Sequence, residues 1–332
     1  MIRPFLTSAT LVLALALCSC GKKQPETPAS KPAPETKPVA AVPAAPPAAK
    51  AEAPPAAAPT NLVDMSDFAS PEPLERPDLP TRGIITFGPE SHQHSDGAHW
   101  ETYVWPNFKA KRWGKYQVRL TYTLRRSTLG LQFRMGDLVV KKTLQSSVAP
   151  NKLYLGEVYI KEAGDFPFSM LTPPTDDGSF KLIELALIPT TEGEEVKQAS
   201  DGSITLMAKD ATTWSENMRF EPKPEKNCLG YWTEADDFAE WEFNVAKPGK
   251  YKVIVSYGCG GGNQGSEVEL KQGAQSLKWT TQDTGGFQKW QEVPVGEIEI
   301  TSTGTQRLVI DPVTKVKSAA LDVQKVVLTP AG

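Results

Sequence analysis

The stretch Trp113-Gly-Lys-Tyr-Gln-Val-Arg-Leu-Thr-Tyr122 occurs a second time, about 135 positions later, as Pro248-Gly-Lys-Tyr-Lys-Val-Ile-Val-Ser-Tyr257. In both copies a Gly-Lys pair precedes a run that alternates aromatic or β-branched residues with polar ones, which is the pattern of a half-buried β-strand. A strand that returns at this spacing indicates that a whole domain has been repeated, because roughly 100 to 130 residues is the size of one β-sandwich. The stretch therefore predicts two related sandwiches and not one large catalytic core.

Later landmarks in the two copies match as well. Gly156-Glu-Val-Tyr-Ile160 corresponds to Gly296-Glu-Ile-Glu-Ile300, and each copy closes with an apolar strand that ends in a proline, Pro189 or Pro330. Elsewhere β-rich runs are separated by clusters of Gly, Pro, Asn and Asp, and helix signals are almost absent. About eight strands per copy predict an all-β protein made of two tandem jelly-roll β-sandwiches.

The N-terminus has the form of a targeting signal. Arg3 supplies a short positive region, and Phe5 to Leu17 form an uncharged apolar run that spans only about 20 Å as a helix, too short for a stable transmembrane anchor. The run ends in Leu17-Cys-Ser-Cys-Gly21, which resembles a bacterial lipoprotein cleavage box. Because the small Ser19 precedes Cys20, we predict that Cys20 is lipidated. The alternative is an ordinary secretory signal with incidental cysteines.

Lipidation at Cys20 would hold the protein on a membrane, because several acyl chains on one cysteine anchor a protein more stably than a single chain. Lipoproteins that are kept in an inner membrane often carry Asp after the lipidated cysteine, whereas this chain has Gly21. We therefore expect a bacterial cell-envelope protein that is anchored in the outer membrane rather than the inner one.

A Pro/Ala-rich segment follows the signal. Residues 21–60 contain eleven prolines with Ala, Lys, Glu and Thr between them, and few side chains large enough to build a core. Such composition predicts a disordered, extended tether. The predicted segments are a signal peptide at 1–20, a disordered linker at 21–75, a first sandwich at 76–192, an interdomain linker at 193–202 and a second sandwich at 203–332.

Two cysteines lie outside the signal region, Cys228 and Cys259. In an exported protein an isolated pair indicates one disulfide, which would close a loop of about 30 residues. Two free, buried thiols are the alternative.

The second copy carries a series of phrases in a recognisable order. They are Ala208-Lys-Asp-Ala211, Leu229-Gly-Tyr-Trp232, Asp237-Phe-Ala-Glu-Trp241, Lys247-Pro-Gly-Lys-Tyr251, Ser266-Glu-Val-Glu-Leu270, Thr284-Gly-Gly-Phe-Gln-Lys-Trp290 and Leu321-Asp-Val323. In this order they resemble a carbohydrate-binding module of the galactose-binding jelly-roll type, near families 6 and 35. They are also similar to the modules that are appended to bacterial sulfatases and glycoside hydrolases. The resemblance covers residues 204–330 and implies that the second sandwich binds a glycan.

In such modules an aromatic face packs on the C–H face of a pyranose, and planar polar side chains read its hydroxyls. The resemblance places the two aromatic residues at Tyr231 and Phe287, and it places Ala320 where the family has an Asn. Phe287 offers less stacking area than the family's Trp, and Ala320 cannot hydrogen-bond. Either the ligand differs or the ordinary cleft is degenerate.

Several neighbouring residues could compensate for these losses. They are Trp232, Trp279, Gln282 and Asp283, together with Asn263 and Gln264 at the tip of a glycine-rich loop. The glycine-rich loop could equally be a plain mobile hairpin. We expect Tyr231 and Trp232 to be exposed in a turn, and Trp241 to lie in the core between the sheets.

The family often holds a structural calcium between an acidic residue of the first strand and an Asp of the last strand. Asp322 fits the second position, but the first position is Lys209. A lysine cannot ligate a cation, although it could replace one by pairing with Asp322. We therefore predict that the second sandwich does not need calcium at this site.

All three histidines of the chain fall within eight residues, 92–99. His92 and His94 would lie on one face of an extended segment, and Asp96 or His99 could complete a tetrahedral zinc shell. The segment is polar, contains Gly and is typical of a loop, where histidine is unremarkable. We therefore predict no metal site.

The acidic residues of the chain are spread over linkers, turns and strand faces. A hydrolase needs two carboxylates that face each other across a cleft, or a nucleophile with its base. The sequence has no Gly-x-Ser-x-Gly elbow, and its second half has no histidine. We therefore predict that the protein is not an enzyme and uses no cofactor, although an acid dyad formed between the two sandwiches is left open.

Two functions fit these observations. The first is a membrane-anchored, non-catalytic lipoprotein that holds a glycan or polysaccharide through aromatic loop residues. The second is an architectural or protein-interaction lipoprotein of the cell envelope, with degenerate sugar sites and an envelope protein as its partner. Tyr231 and Trp232 favour the first function, whereas Phe287 and Ala320 favour the second. The formal net charge of −3, without a basic cluster interleaved with aromatic residues, gives no reason to expect nucleic acid as a partner.

Overall fold

The computed structural model describes residues 82–91, 93–96, 101–106, 108–175 and 178–332, and these residues all belong to one compact unit. The predicted signal peptide, Cys20 and the predicted linker at 21–75 lie outside the described residues. Within the described residues, no helix is long and apolar enough to cross a membrane.

The described chain is built from β-strands, with two single-turn 3₁₀ helices at Pro89–Ser91 and Ala208–Asp210. The strands of the first sandwich are β1 (Ile85–Phe87), β2 (Gln93–Asp96), β3 (Glu101–Trp105), β4 (Lys109–Ala110), β5 (Gly114–Met135), β6 (Leu138–Ile160), β7 (Gly164–Asp165), β8 (Phe168–Thr172) and β9 (Phe180–Pro189). The strands that follow are β10 (Val196–Lys197), β11 (Ile204–Met207), β12 (Ala211–Trp214), β13 (Arg219–Glu221), β14 (Cys228–Gly230), β15 (Phe238–Val245), β16 (Gly249–Cys259), β17 (Glu267–Gln272), β18 (Gln275–Thr280), β19 (Gly286–Ile300), β20 (Gly304–Pro312) and β21 (Asp322–Pro330).

The first sandwich is formed by one sheet that folds over on itself. Its strand order is β1-β9-β5-β8-β3-β2, with β6 beside β5. The long strand β5 pairs with β9 through its first half and with β8 through its second half, and bulges separate the two halves. Val118 from the first half and Phe133 from the second half lie in the same buried core. Both halves of β5 therefore face one interior, which makes the folded sheet a sandwich.

The second sandwich has two antiparallel layers and a parallel edge pair. One sheet has the order β10-β15-β20-β17-β18, with β12 beside β15, and β10 runs parallel to β15. The other sheet has the order β13-β14-β21-β16-β19, with β11 beside β21. Trp241 of the first sheet and Tyr257 of the second sheet are fully buried in the shared core. The core position predicted for Trp241 is confirmed, and its indole Nε1 donates to the Met207 carbonyl at 2.8 Å.

The repeated sequence occupies equivalent strands. Tyr116, Val118 and Leu120 of β5 are buried, as are Tyr251 and Val253 of β16. The alternation therefore places the same residue types into the core in both copies, as expected for a strand with one buried face. The all-β class and the two tandem sandwiches are confirmed.

The two sandwiches pack against each other through a small apolar cluster. Ala186 and Ile188 on β9 contact a second set of buried residues, Trp214, Phe238 and Val309, on the outer face of the second sandwich. The rings of Trp214 and Phe238 are stacked, with centroids 6.2 Å apart. This cluster lies apart from the core of either sandwich.

Arg112, just before the repeated strand β5, joins the two sandwiches by hydrogen bonds. Its buried guanidinium donates to the Thr213 hydroxyl at 2.7 Å, to the Thr213 carbonyl at 3.2 Å and to the Met218 carbonyl. Next to it, the indole Nε1 of Trp113 donates to the Phe220 carbonyl at 2.9 Å. The turn before β5 is therefore docked on the second sandwich.

The disulfide prediction is wrong, because Cys228 and Cys259 are both free and buried. Strand β21 lies between β14, which carries Cys228, and β16, which carries Cys259. Two strand spacings amount to about 9.5 Å, more than the Cα–Cα separation that a disulfide spans. The side chains also point to opposite faces, since Cys259 belongs to the core, whereas Cys228 contacts Asp322 on the outer face.

Candidate functional site

Three loops and one turn meet at one end of the second sandwich. The glycine-rich loop after β16 contacts the loop after β18, where the Thr284 amide donates to the Cys259 carbonyl at 3.0 Å. The same glycine-rich loop contacts the segment before β21, where the Ser318 hydroxyl donates to Asn263 Oδ1 at 2.9 Å. This segment reaches the turn after β14, where the Ala320 amide donates to the Trp232 carbonyl at 3.0 Å. The loops that carry the predicted ligand-binding residues are therefore neighbours.

Tyr231 is the exposed aromatic residue of this end. Its side chain is 42% exposed, and its backbone φ is +62°. A bulky residue in the left-handed region costs of order 1 kcal/mol or more, and such strain is concentrated at functional sites. The exposure predicted for Tyr231 is confirmed.

Trp232 lies in the core, so the prediction that it is exposed and available to a ligand is wrong. The left-handed turn at Tyr231 sends the next side chain inward, where Trp232 is fully buried and its Nε1 donates to the Asp237 carbonyl at 2.9 Å. Ala320 is fully buried as well. Trp232 therefore anchors the turn that presents Tyr231.

Phe287 and Trp279 are both half-buried. Phe287 packs on the glycine-rich loop so closely that a Cβ at Gly260 would lie 2.9 Å from its ring. Trp279 packs on the core, with its ring 6.5 Å from that of Tyr257, and its buried Nε1 has no hydrogen-bond partner among the described residues. Both aromatic residues contribute to packing and leave only part of their surface to a ligand.

The polar candidates brace their own loops. Gln264 Oε1 accepts from the Gly262 amide at 2.7 Å, and Asp283 Oδ1 accepts from the Gly285 amide at 2.8 Å. Gln282 Nε2 donates to the Thr280 carbonyl at 3.2 Å. Asn263 Oδ1 accepts from Ser318, as described above. These bonds hold the loops in shape, and the exposed Asp283 and Gln264 remain at their surface.

A cation–aromatic stack, formed by Trp113, Arg219 and Tyr231, adjoins the turn. The guanidinium carbon of Arg219 lies 3.4 Å from the ring centroid of Tyr231 and 3.9 Å from that of Trp113. The rings of Trp113 and Tyr231 meet edge to face at 6.1 Å. Sequence reasoning missed this stack, because Trp113 comes from the first sandwich and Arg219 lies in none of the family's phrases.

A buried acid–thiol cluster, formed by Glu221, Cys228 and Asp322, lies beside the stack. One ligand atom from each residue lies within 4.8 Å of the others. Lys226 Nζ donates to both oxygens of Glu221, at 2.7 and 2.9 Å, and Gln288 Nε2 donates to Asp322 Oδ2 at 3.0 Å. The cluster is therefore already partnered by protein groups on both sides.

Burial decides the ionisation of this cluster. Desolvation, with a further contribution from the charge of Glu221, raises the pKa of Asp322 to about 7. Desolvation also raises the pKa of the Cys228 thiol, so the thiol is protonated at neutral pH and is a poor nucleophile. Glu221 and Asp322 are 4% and 5% exposed, so their carboxyl groups do not face an open cleft of the kind that a glycosidase needs.

Lys209 does not pair with Asp322 among the described residues, although its charge could have replaced a cation there. Lys209 is exposed, and Asp322 is instead contacted by Gln288 and Cys228. The 3₁₀ helix that carries Lys209 follows β11, on the far side of β21 from β16, and the Lys209 carbonyl accepts from the Glu192 amide in the linker after β9 at 3.0 Å. Calcium independence stays a prediction.

The histidine segment is described only in part. His94 lies in β2, where its backbone is opposite Tyr103 of β3. His92 and His99 lie outside the described residues. The prediction of no metal site in this segment stays a prediction.

Residues 210–331 match a family model described as a domain of unknown function, DUF5077. No curated protein matches the chain. Solved structures that are similar to part of this chain include two carbohydrate-binding modules. One is the C-terminal family 6 module of LamC, a laminarinase from Zobellia galactanivorans, with 17% identity over 38% of this chain and 98% of the module and a TM-score of 0.30. The other is a family 35 module from Clostridium thermocellum, with 16% identity over 39% of this chain and 98% of the module and a TM-score of 0.32.

A longer match is with a xanthan lyase from Paenibacillus. It is 13% identical over 79% of this chain, with a TM-score of 0.31. The chain spans 27% of the length of that enzyme.

Proposed function

We propose that the protein is a non-catalytic, glycan-binding lipoprotein of a bacterial cell envelope, which binds its ligand at the loop end of the second sandwich. The observation that carries this proposal is the conformation of Tyr231. A large aromatic side chain is 42% exposed at a turn whose backbone is in the left-handed region, while the next residue is anchored in the core. An exposed ring on a rigid turn is suited to stacking on the C–H face of a sugar.

The surroundings of Tyr231 support the same function. Asp283 lies on the loop after β18, which is hydrogen-bonded to the glycine-rich loop, and Phe287 lies at the start of β19. A half-buried ring and an exposed carboxylate at the same end of the sandwich are the kinds of group that orient a sugar and bind its hydroxyls. The braced loops would order little on binding, which reduces its entropic cost.

The membrane part of the proposal rests on the N-terminal sequence. The apolar run, Cys20 and the Pro/Ala-rich tether are the features of a lipid-anchored protein whose folded part is held away from the membrane. Replacing Cys20 by Ser should move the protein from the membrane fraction to the soluble fraction of cells that express it. Unchanged membrane association of the C20S variant would refute the anchor.

An architectural or protein-interaction role is the second candidate. Two observations favour it: Arg219 covers one face of the Tyr231 ring at 3.4 Å, and Ala320 is buried where the family has a hydroxyl-reading Asn. Only the other ring face of Tyr231 would then be open to a sugar. In this role the protein would bind an envelope protein and no glycan.

The test is a glycan array that carries neutral, uronate-containing and sulfated glycans, probed with the protein without its signal peptide. The Tyr231→Ala variant should lose about tenfold or more in affinity for any glycan that the wild type binds, because a stacking ring contributes more than its buried area alone. Tyr159→Ala is the matched control, since Tyr159 is a similarly exposed tyrosine, 40%, on the first sandwich.

Two results would contradict the proposed site or function. Equal binding by the Tyr231→Ala variant and the wild type would show that the binding site does not include Tyr231. No binding by the wild type to any glycan would favour the architectural role.

A further inference from the structure

Arg219 is a half-buried cation whose partners are unusual. Its guanidinium carbon lies close to the centroids of both the Trp113 and the Tyr231 ring, and these two rings are nearly perpendicular to each other. Nη1 donates to the Asn217 carbonyl at 2.8 Å, and Nε is buried without a hydrogen-bond partner. Within the described part of the chain, no carboxylate lies within 4.0 Å of this guanidinium. The two rings therefore hold the cation in place, and no described carboxylate forms an ion pair with it.

The charges around Arg219 do not neutralise it. Burial lowers the pKa of Arg219, the interaction and hydrogen bond with the Tyr231 side chain and the charge of Glu221 raise it, and the charge of Arg112 lowers it. Glu221 is already paired with Lys226, whose Nζ lies 5.9 Å from the Tyr231 ring. An arginine stays protonated even so. A second cation at the same ring therefore adds to the positive potential beside Tyr231.

The interface between the sandwiches does not require the charge of Arg219. The hydrogen bonds that join the two sandwiches here come from Arg112, to Thr213 and Met218, and from Trp113, to the Phe220 carbonyl. Arg219 instead bonds within its own strand and turn, to Asn217. A residue needed only to fill the space between two rings could be apolar, because burying an unpaired cation costs free energy.

We propose that the Trp113–Arg219–Tyr231 stack is a subsite for the acidic group of an anionic sugar, a carboxylate or a sulfate. A planar guanidinium binds such oxyanions with two parallel charge-assisted hydrogen bonds. The acidic group would bind the exposed part of the half-buried Arg219 side chain at the rim of the Tyr231 ring, because the buried Nε cannot reach a ligand. Because Trp113 fixes that guanidinium from the first sandwich, the subsite spans both sandwiches. This inference rests on the proposed function and names the ligand class of the same site.

The test compares polymers that share a backbone and differ in charge. Polygalacturonate is compared with its methyl ester, and dextran sulfate with dextran, by affinity gel electrophoresis and calorimetry of the chain without its signal peptide. The protein should bind one charged member at least tenfold more tightly than its neutral counterpart. The first pair reports a carboxylate ligand and the second a sulfate ligand.

Arg219→Met should weaken binding to the charged polymer by about 10- to 100-fold, the range for charge-assisted hydrogen bonds that are lost together. Arg219→Lys should retain part of the affinity, because it keeps the charge and loses the planar fork. Arg134→Met is the matched control, since Arg134 is an exposed arginine on β5 of the first sandwich. A melting curve of each variant shows whether it is folded. The comparison of charged and neutral polymers uses the wild-type protein and does not depend on any variant.

Failure of the anionic subsite and failure of the proposed glycan-binding function would give different results. Neutral and charged polymers bound equally well, with Arg219→Met unchanged, would overturn the anionic subsite and leave the proposed function intact. Equal weakening by Arg219→Met and Arg134→Met would show diffuse charge attraction and would also overturn it. No binding to these polymers or to any glycan of the array would remove both proposals.

Discussion

Replacing Asp322 by Asn should stabilise the protein, and more so at alkaline pH. The Asp322 carboxyl is buried beside Glu221, and its pKa in the folded protein is raised from 3.8 to about 7. An acid whose pKa is higher in the folded state than in the unfolded state binds more protons when folded, so its contribution to stability falls as the pH rises from about 4 to about 7. The difference between the two pKa values corresponds to a penalty of about 4 kcal/mol above pH 7, since each pKa unit is 1.36 kcal/mol.

An amide at this position keeps the favourable contacts. The Asn oxygen can still accept from Gln288 Nε2 and Cys228 Sγ, because both groups donate to the same oxygen of Asp322, Oδ2. Asp322→Asn should therefore raise the free energy of unfolding by about 2 to 4 kcal/mol at pH 8. The gain should shrink to less than about 2 kcal/mol at pH 5, where the buried carboxyl is already protonated in the folded protein.

Urea unfolding of the wild type and the variant at pH 5 and pH 8 measures this difference. Asp236→Asn is the control, because the Asp236 side chain is 74% exposed and its replacement should change stability by less than about 0.5 kcal/mol at either pH. Two results would refute the conclusion that Asp322 is buried with a pKa near 7. One is a variant that is less stable than the wild type at pH 8, and the other is a gain in unfolding free energy that does not depend on pH.

Three further predictions concern the packing of the same region. Gly260→Ala should cost about 1 to 3 kcal/mol in urea unfolding, because the new Cβ would lie 2.9 Å from the Phe287 ring, whereas Gly130→Ala, which meets no atom within 4 Å, should have little effect. Trp232→Ala should cost about 3 to 5 kcal/mol in the same assay, as for other buried aromatic residues, and a variant as stable as the wild type would contradict the core position of Trp232. Dithiothreitol should leave the melting temperature unchanged, because Cys228 and Cys259 are both free. An alkylating reagent should modify these two buried thiols only after unfolding. A lower melting temperature on reduction would instead indicate that a disulfide is present.

The repeated strand was predictable because it depends on local alternation. The two-residue period of the quoted stretch determines which face is buried, and Tyr116 and Tyr251 are both in the core. The loops around Tyr231 were also predictable, since the order of the family's phrases implies which loops share one end of the sandwich. Trp241 was expected in the core and lies there.

The parts that the sequence did not reveal depend on long-range geometry. Whether Cys228 and Cys259 can bond depends on sheet order, and the intervening strand β21 comes more than sixty residues after Cys259. The direction of the Trp232 side chain depends on the sign of φ at Tyr231, which cannot be predicted from the residue type. The contact between Trp113 and Arg219 joins residues that are about a hundred positions apart on different sandwiches.

The docking of the turn before β5 affects how the second sandwich can be studied by itself. A fragment cut at the boundary between the sandwiches would lose the guanidinium that satisfies the Thr213 and Met218 carbonyls, and it would expose the stacked rings of Trp214 and Phe238 to water. Such an apolar patch promotes self-association. Specificity measured on the excised fragment would then describe an altered surface, so that the intact pair is the proper unit for ligand screening and crystallisation.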